Sequence, residues 1–363
     1  MHPLDATGMV EDLRALVEAE SPSNDVEAAA RCADVLAAIG SQRLGTMPER
    51  LDPRGHPALI WRLGGSTRVL LIGHLDTVWP LGTLQEIPFA VTDGRATGPG
   101  VFDMKAGLVQ GLHALATLED RDGVTLLVTS DEETGSLASR PLIEREARDA
   151  RAALVLEPSA DGALKIARKG VSMYRFEISG RAAHAGLEPE NGVNALVELA
   201  HDVLALTRVA RPERGTTVTP TVARAGSATN VVPDAATVDV DVRCATVDEQ
   251  ARVDRELREV SAVLDGAVIT VTGGPNRPPL PETASRELFE LARRLAPFPL
   301  DGVAVGGGSD GNFTAGAGTP TLDGLGPVGA GAHARTEWTD VQAMPTRAAL
   351  VADLVAALLL DPS

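Results

Sequence analysis

Five side chains of the kind that bind divalent metals occur in order along this chain, each at the end of an apolar run. They are His74 in G-H-L-D-T-V, Asp103 in G-V-F-D-M-K-A-G, Glu133 in S-D-E-E-T-G, Glu157 in L-V-L-E-P and His333 in G-A-H-A-R. Imidazoles and carboxylates at the tips of buried strands are costly to desolvate unless a cation compensates them. Two imidazoles and three carboxylates suit a pair of borderline divalent metals that share one carboxylate. Hydrolysis is the leading chemistry for such a set.

Each motif alone also has an ordinary reading. On a strand, His74 and Asp76 project the same way, so Asp76 is placed to orient the imidazole. The alternative is a core His beside a turn-forming Asp. Asp103 precedes a helix expected from about Lys105, where it is either a cap or a carboxylate bridging two metals. Asp131, Glu132 and Glu133 are three successive acids after a buried strand and repel one another unless cations are near. One of the pair Glu132-Glu133 can bind metal while the other acts as general base; a solvated acidic turn is the plain alternative. Glu157, before Pro158, is equally a turn residue, whereas His333 lies in a Gly/Ala-rich loop that offers little packing for a core imidazole.

Other residues carry weaker signals. In V-G-G-G-S-D-G, Gly307 and Gly308 form either a backbone concavity for a carboxylate or a plain turn. His184 in S-G-R-A-A-H-A-G is an oxyanion donor or an exposed loop His. Arg243 pairs with a substrate carboxylate or is a surface Arg. His2, His56, His113 and His201 take ordinary terminal, loop and helix roles.

The elements that would position these groups follow from periodicity. Helical spacing runs from Pro3 to Ile39 with a polar break at Ser21 to Asp25. From Ala58 short β-like runs begin: A-L-I-W-R-L, R-V-L-L-I-G, V-T-L-L-V-T-S and A-A-L-V-L-E. The last three are continuously apolar, as strands covered on both faces are. Helices are expected at Ala106 to Leu118 and Leu137 to Ala147. Strands and helices alternate, which predicts an α/β domain with its site at the strand ends. The middle reads strand (Val171 to Ser179), helix (Gly192 to Val209), two strands (Thr217 to Arg224, Ala236 to Arg243), helix (Asp248 to Leu264), strand (Ala267 to Thr272). That β-α-β-β-α-β order is a complete unit inserted into another. A helix follows at Ala284 to Leu295, and His333 returns the chain to the first domain. The expected division is 1–168, 169–275 and 276–363.

Composition sets limits. A chain of 363 residues exceeds one core, so two domains are expected. A net charge of −17 argues against nucleic acid or an anionic membrane as partner. With 44% hydrophobic residues but only 3% aromatics, the core must be built from Ala, Val and Leu; the mean hydropathy of +0.03 fits a water-soluble chain. Cys32 and Cys244 have no C-x-x-C pattern and are expected as buried free thiols. The N-terminal residues have no basic start followed by an apolar stretch, so a reducing, cytoplasmic location is expected.

Taken together, G-H-L-D-T-V, G-P-G-V-F-D-M-K-A-G, D-E-E-T-G-S, L-E-P, S-G-R-A-A-H-A-G, N-V-V-P, G-G-G-S-D and G-A-H-A-R-T-E resemble one metallopeptidase family. It is that of acetylornithine deacetylase, succinyl-diaminopimelate desuccinylase and the bacterial glutamate carboxypeptidases, and the glutamate carboxypeptidases are most similar. The resemblance implies a zinc-exopeptidase-like α/β catalytic domain with a mostly parallel mixed sheet. It also implies an inserted ferredoxin-like α+β domain, serving as lid or for dimerisation. By that resemblance His74, Asp103 and Glu157 hold one zinc, and Asp103, Glu133 and His333 the other, with cobalt or manganese as substitutes. Asp76 orients His74, Glu132 is the general base, and His184 reaches the partner subunit's active site to stabilise the oxyanion. Asn230, Arg243 and the backbone at Gly307 and Gly308 meet the substrate carboxylate. A cis peptide would fall at Asp103-Met104. The implied activity is hydrolysis of an N-acyl amino acid or peptide that releases a C-terminal amino acid, in a homodimer. The alternatives are a biosynthetic deacylase of acetylornithine or succinyl-diaminopimelate type, or a non-catalytic metal-dependent binding protein. Arg168, Lys169 and the stretch 311–326 depart from the glutamate carboxypeptidase pattern.

Overall fold

The computed structural model describes residues 4–360, so His2 and Pro3 lie outside the described residues. The chain divides into two compact units. The first comprises the described residues up to Ala167, then Leu280–Val305 and the described residues from Ser309 on; the second comprises Arg168–Pro279 with Gly306–Gly308.

The first unit is built on a six-stranded sheet. Its order is Glu49–Leu51, Ala58–Arg62, Val124–Thr129, Val69–His74, Ala152–Val155 and Thr321–Leu322. The last four strands run parallel, and the first two join them through antiparallel pairings, so that Ala58–Arg62 alone runs against the rest and the sheet is mixed. The apolar runs are covered on both faces, and the period of two shows it. Leu59, Trp61, Val69, Leu71, Leu126, Val128 and Leu154 enter one core, shared with the helices Ala6–Glu18, Val26–Leu44, Ala106–Thr117 and Met344–Leu360. Ala58, Ile60, Leu70, Ile72, Leu127 and Val155 enter the other, against Arg140–Arg148 and Phe313. The first two helices start where acids can cap them: Asp5 accepts from the N–H groups of Thr7 and Gly8, and Asp25 from that of Ala28.

One glycine fixes a distance that matters for the site. A Cβ at Gly107 would lie 2.0 Å from the carbonyl oxygen of Leu156. Only glycine lets the helix after Asp103 approach the segment that leads from the strand Ala152–Val155 to Glu157 this closely. A small sheet of Ala90–Thr92, Arg95–Thr97, Gly329–Ala330 and Trp338–Asp340 was not expected. Strands of two or three residues are too short to show periodicity.

The second unit has a four-stranded antiparallel sheet in the order Thr217–Ala225, Ala235–Cys244, Gly170–Ser179, Val268–Arg277. With the helices Ala195–Thr207 and Val247–Arg258 it forms the β-α-β-β-α-β unit. Tyr174, Phe176, Ile178, Val238, Val240 and Val242 alternate into its core. The second helix stops at Arg258, short of the expected Leu264. The N–H groups of Val263 and Leu264 donate to the buried Glu198 carboxylate, so that stretch closes as a loop. The last strand continues five residues past Thr272 because Gly273 and Gly274 keep pairing with Tyr174 and Met173. Cys32 and Cys244 are buried and free. No helix among the described residues is long and apolar enough to cross a membrane.

Candidate metal centre

The centre is assembled at the carboxyl ends of the parallel strands, where open α/β sheets place their sites. His74 is the last residue of its strand, flanked by the strands Val124–Thr129 and Ala152–Val155. Beyond those neighbours lie the turn Glu132–Thr134 and Glu157. Asp103 sits in the tight turn Val101–Lys105, and its peptide bond to Met104 is cis. His333 has a left-handed backbone (φ 62°) in an exposed loop.

Asp103 lies between the two histidines. One carboxylate oxygen is 3.4 Å from His74 Nε2 and the other is 3.4 Å from His333 Nε2. Glu157 Oε1 is 3.4 Å from His74 Nε2, and Glu133 Oε1 is 3.0 Å from His333 Nε2. The residues form two overlapping triplets, His74-Asp103-Glu157 and Asp103-Glu133-His333, with the ligand atoms of each within 4.8 Å of one another. His74 Nε2 and Asp103 Oδ1 are buried with no hydrogen-bond partner. Two atoms each about 2.0–2.1 Å from a tetrahedral zinc stand about 3.3 Å apart, close to the three 3.4 Å spacings and too long for a good hydrogen bond, whereas Glu133 and His333 at 3.0 Å are within hydrogen-bond reach. The donor set therefore fits a pair of divalent cations sharing Asp103. Glu132 belongs to neither triplet, although its Oε2 is 4.0 Å from His74 Nε2.

Burial disfavours a charged His74, yet Asp103, Asp76 and Glu157 outweigh it and hold its pKa well above the ordinary value. Asp103 and Glu133 raise His333 to about 10. Asp103 is itself held far below the usual carboxylate range: burial opposes ionisation, but His333 and His74 prevail. Burial and the nearby Asp103 push Glu133 up. The cluster gathers acids that require positive charge, supplied by protons on the histidines or by metal.

Asp76 does more than orient an imidazole. His74 Nδ1 lies 3.0 Å from its carbonyl oxygen and 3.3 Å from its carboxylate. The carboxylate also accepts from Ser23 Oγ (2.6 Å) and from the N–H groups of Glu132 (3.2 Å) and Glu133 (3.1 Å). One side chain thus fixes both the first ligand and the acidic turn. Of the three successive acids only two face the centre; Asp131 accepts instead from the N–H groups of Ala138 and Ser139. Asp103 caps no helix, since the helix after it starts without a side-chain cap. His113 is a satisfied core residue, 2.8 Å from Asp12.

Sequence reasoning missed Glu337, which is 2% exposed. Its carboxylate accepts from the N–H groups of Gly100, Phe102 and Asp103 and from the Trp79 indole at 2.9–3.0 Å. It holds the loop that presents the shared carboxylate. Glu337 ends the motif G-A-H-A-R-T-E, but nothing local says which groups it meets.

The remaining expected residues lie in the second unit. His184 is exposed, and its Nδ1 accepts from the N–H groups of Gly186 and Leu187, both at 3.1 Å. In the neutral ring the proton is therefore on Nε2, which makes that atom a donor. The Asn230 carbonyl accepts from Ala185 N–H, which ties its loop to the His184 loop. Arg243 is engaged by Asp241 through two 2.8 Å bonds. The carbonyls of Gly307 and Gly308 accept from the buried Arg168.

A family model, peptidase family M20/M25/M40, matches residues 70–357. Carboxypeptidase G2 of Pseudomonas sp. (strain RS-16) is 32% identical over 369 residues, covering 96% of this chain and 88% of that protein. Succinyl-diaminopimelate desuccinylase 2 of Shewanella loihica is 32% identical over 225 residues, 55% of this chain and 58% of that protein. Among solved structures, aminopeptidase PepT from Bacillus cereus is similar with a TM-score of 0.76 at 22% identity, covering 98% of this chain and 99% of that one.

Proposed function

The chain belongs to peptidase family M20/M25/M40, whose members are metal-dependent hydrolases of amide or peptide bonds; from that premise we propose a two-zinc carboxypeptidase. The bond cleaved is the amide joining an acyl or peptidyl group to a C-terminal amino acid, as in a glutamate carboxypeptidase. The observation that carries the reading is Asp103, with one oxygen 3.4 Å from each of two histidines, and Glu132 beside but outside both triplets.

His74, Asp103 and Glu157 would hold one zinc, and Asp103, Glu133 and His333 the other. Bound zinc supplies Lewis acidity, polarising the scissile carbonyl and acidifying a water. Glu132, held by the Asp76 carboxylate through its N–H, is the general base: it takes the proton of the attacking water and returns it to the leaving amine. Asp76 fixes the tautomer of His74. His184 offers Nε2–H to the oxyanion in the partner subunit's active site. Asn230, Arg243 and the backbone at Gly307 and Gly308 receive the substrate carboxylate; Arg243 must then leave Asp241 or use its remaining donors. The same reading makes the second unit a lid and dimerisation domain in a cytoplasmic homodimer.

The test is a panel of N-acyl amino acids and dipeptides given to the zinc-loaded protein, with products identified by mass spectrometry. Release of glutamate or another C-terminal amino acid is expected. Turnover only of acetylornithine or succinyl-diaminopimelate would move the protein to the biosynthetic deacylases. No product from any member of the panel would contradict the reading and favour a metal-dependent binding protein.

A further inference from the structure

Away from the metal ligands, the first unit holds a cavity of about 340 Å³ lined by Asp161, Phe298, Asp301, Val328, Ala343 and Arg347, among others. Arg347 is 2% exposed. Its guanidinium donates to three backbone carbonyls, Gly326 (3.2 Å), Gly162 (3.0 Å) and Gly324 (2.6 Å), and to no carboxylate among the described residues. Burial, with no acid to oppose it, pulls its pKa down to about 10. Buried charges are as a rule paired. A guanidinium carries five N–H donors, so the three bonds leave two without a protein acceptor. A carboxylate is the acceptor that its planar fork matches best.

The rest of the lining narrows the ligand class. Asp161 and Asp301 are exposed residues of the same cavity, and neither pairs with Arg347. On a protein of net charge −17, two carboxylates at the cavity disfavour a polyanion. Arg347 disfavours a simple cation. A small molecule with one carboxylate and one ammonium satisfies both ends, and Phe298 and Val328 give its aliphatic part apolar contact. We propose that this cavity binds a small zwitterion of amino-acid type, its carboxylate on Arg347 and its ammonium on Asp161 and Asp301.

Such a site is not isolated from the metal centre. Arg347 Nε holds the Gly326 carbonyl, and Gly326 N–H donates to the carbonyl of Glu157 at 2.9 Å. A Cβ at Gly326 would lie 2.2 Å from the Leu156 carbonyl oxygen, so this contact has no slack. Two hydrogen bonds through Gly326 thus join Arg347 to the backbone of Glu157.

Calorimetric titration of the zinc-loaded protein with glycine, L-alanine and L-glutamate tests the site without turnover, so its failure is separate from failure of the carboxypeptidase reading. Acetate and ethylamine serve as single-charge controls. Two variants locate the binding: Ala343→Trp, which fills the cavity, and Arg347→Gln, which removes the charge. Saturable binding of an amino acid is expected, weakened about tenfold or more in both variants. Basal hydrolysis by Ala343→Trp should remain near wild type. If Arg347→Gln does not fold, Ala343→Trp decides alone. Binding undiminished by a filled cavity, or no saturable binding at all, overturns the site. Acetate binding as tightly as any amino acid overturns the zwitterion class.

Discussion

Replacing Glu337 by Gln is a sharp test of how the shared carboxylate is held. The side chains are nearly the same shape, but Glu337 uses both oxygens, each for two donors: Oε1 for the N–H groups of Phe102 and Asp103, Oε2 for those of Gly100 and the Trp79 indole. A glutamine has one oxygen. Whichever way the amide is turned, two N–H groups face an NH₂ group instead of an acceptor. At about 1.5–3 kcal/mol for each bond to a charged acceptor, the variant should lose about 3–6 kcal/mol of stability. Burial also pushes the Glu337 pKa up, so the carboxylate is retained against a desolvation cost. Because one of the lost anchors can be Asp103 N–H, zinc affinity should fall as well, by about 10–100-fold, as when outer partners of metal ligands are removed. Urea denaturation measures the first quantity and competition with a chelator the second. A stability loss under about 1 kcal/mol together with unchanged zinc affinity would refute this account of Glu337.

Two further outcomes follow from the buried charges. Asp202 is 1% exposed, its Oδ2 has no partner, and burial with the nearby Glu198 raises its pKa from 3.8 to about 6. The folded state thus favours the protonated form, so the cost of ionisation grows as pH rises from 3.8 and is complete above about 6. Asp202→Asn should stabilise the protein by up to ~3 kcal/mol above about pH 7 and by nothing at acid pH, read by denaturation at both; no gain at the higher pH would contradict it. In the metal-free chain the raised His333 pKa contributes stability that is present below 6.5 and lost as pH climbs through about 10. Zinc replaces those protons, so loading near neutral pH should release about two, from His74 and His333, measurable by calorimetry in buffers of different ionisation enthalpy; release of none would contradict the assignment.

The candidate metal cluster was legible because each of its five residues ends an apolar run. His74 terminates a strand whose other residues face two cores, and such a placement leaves a polar side chain few purposes besides the site. The β-α-β-β-α-β unit was legible for a similar reason, since its strands alternate cleanly. What sequence could not supply were partners distant in the chain. Glu337 meets residues more than 230 positions away, and Ser23 reaches Asp76 across 53. Asp131 was misread as one of three repelling acids because nothing local says that it turns toward Ala138 and Ser139. The helix expected to reach Leu264 ended early because a buried Glu198, on another helix, takes the N–H groups that would have continued it.

The central claim is that five side chains hold the metals while Glu132 moves the proton, and one paired measurement addresses it. Metal content and turnover are determined together for wild type and Glu132→Ala after zinc loading. The account predicts two zinc ions per chain in both proteins and a fall in turnover of about 10²–10⁴ in the variant, the range for loss of a general base. Turnover unchanged, or zinc lost along with it, would contradict the division of labour between Glu132 and the ligands around Asp103.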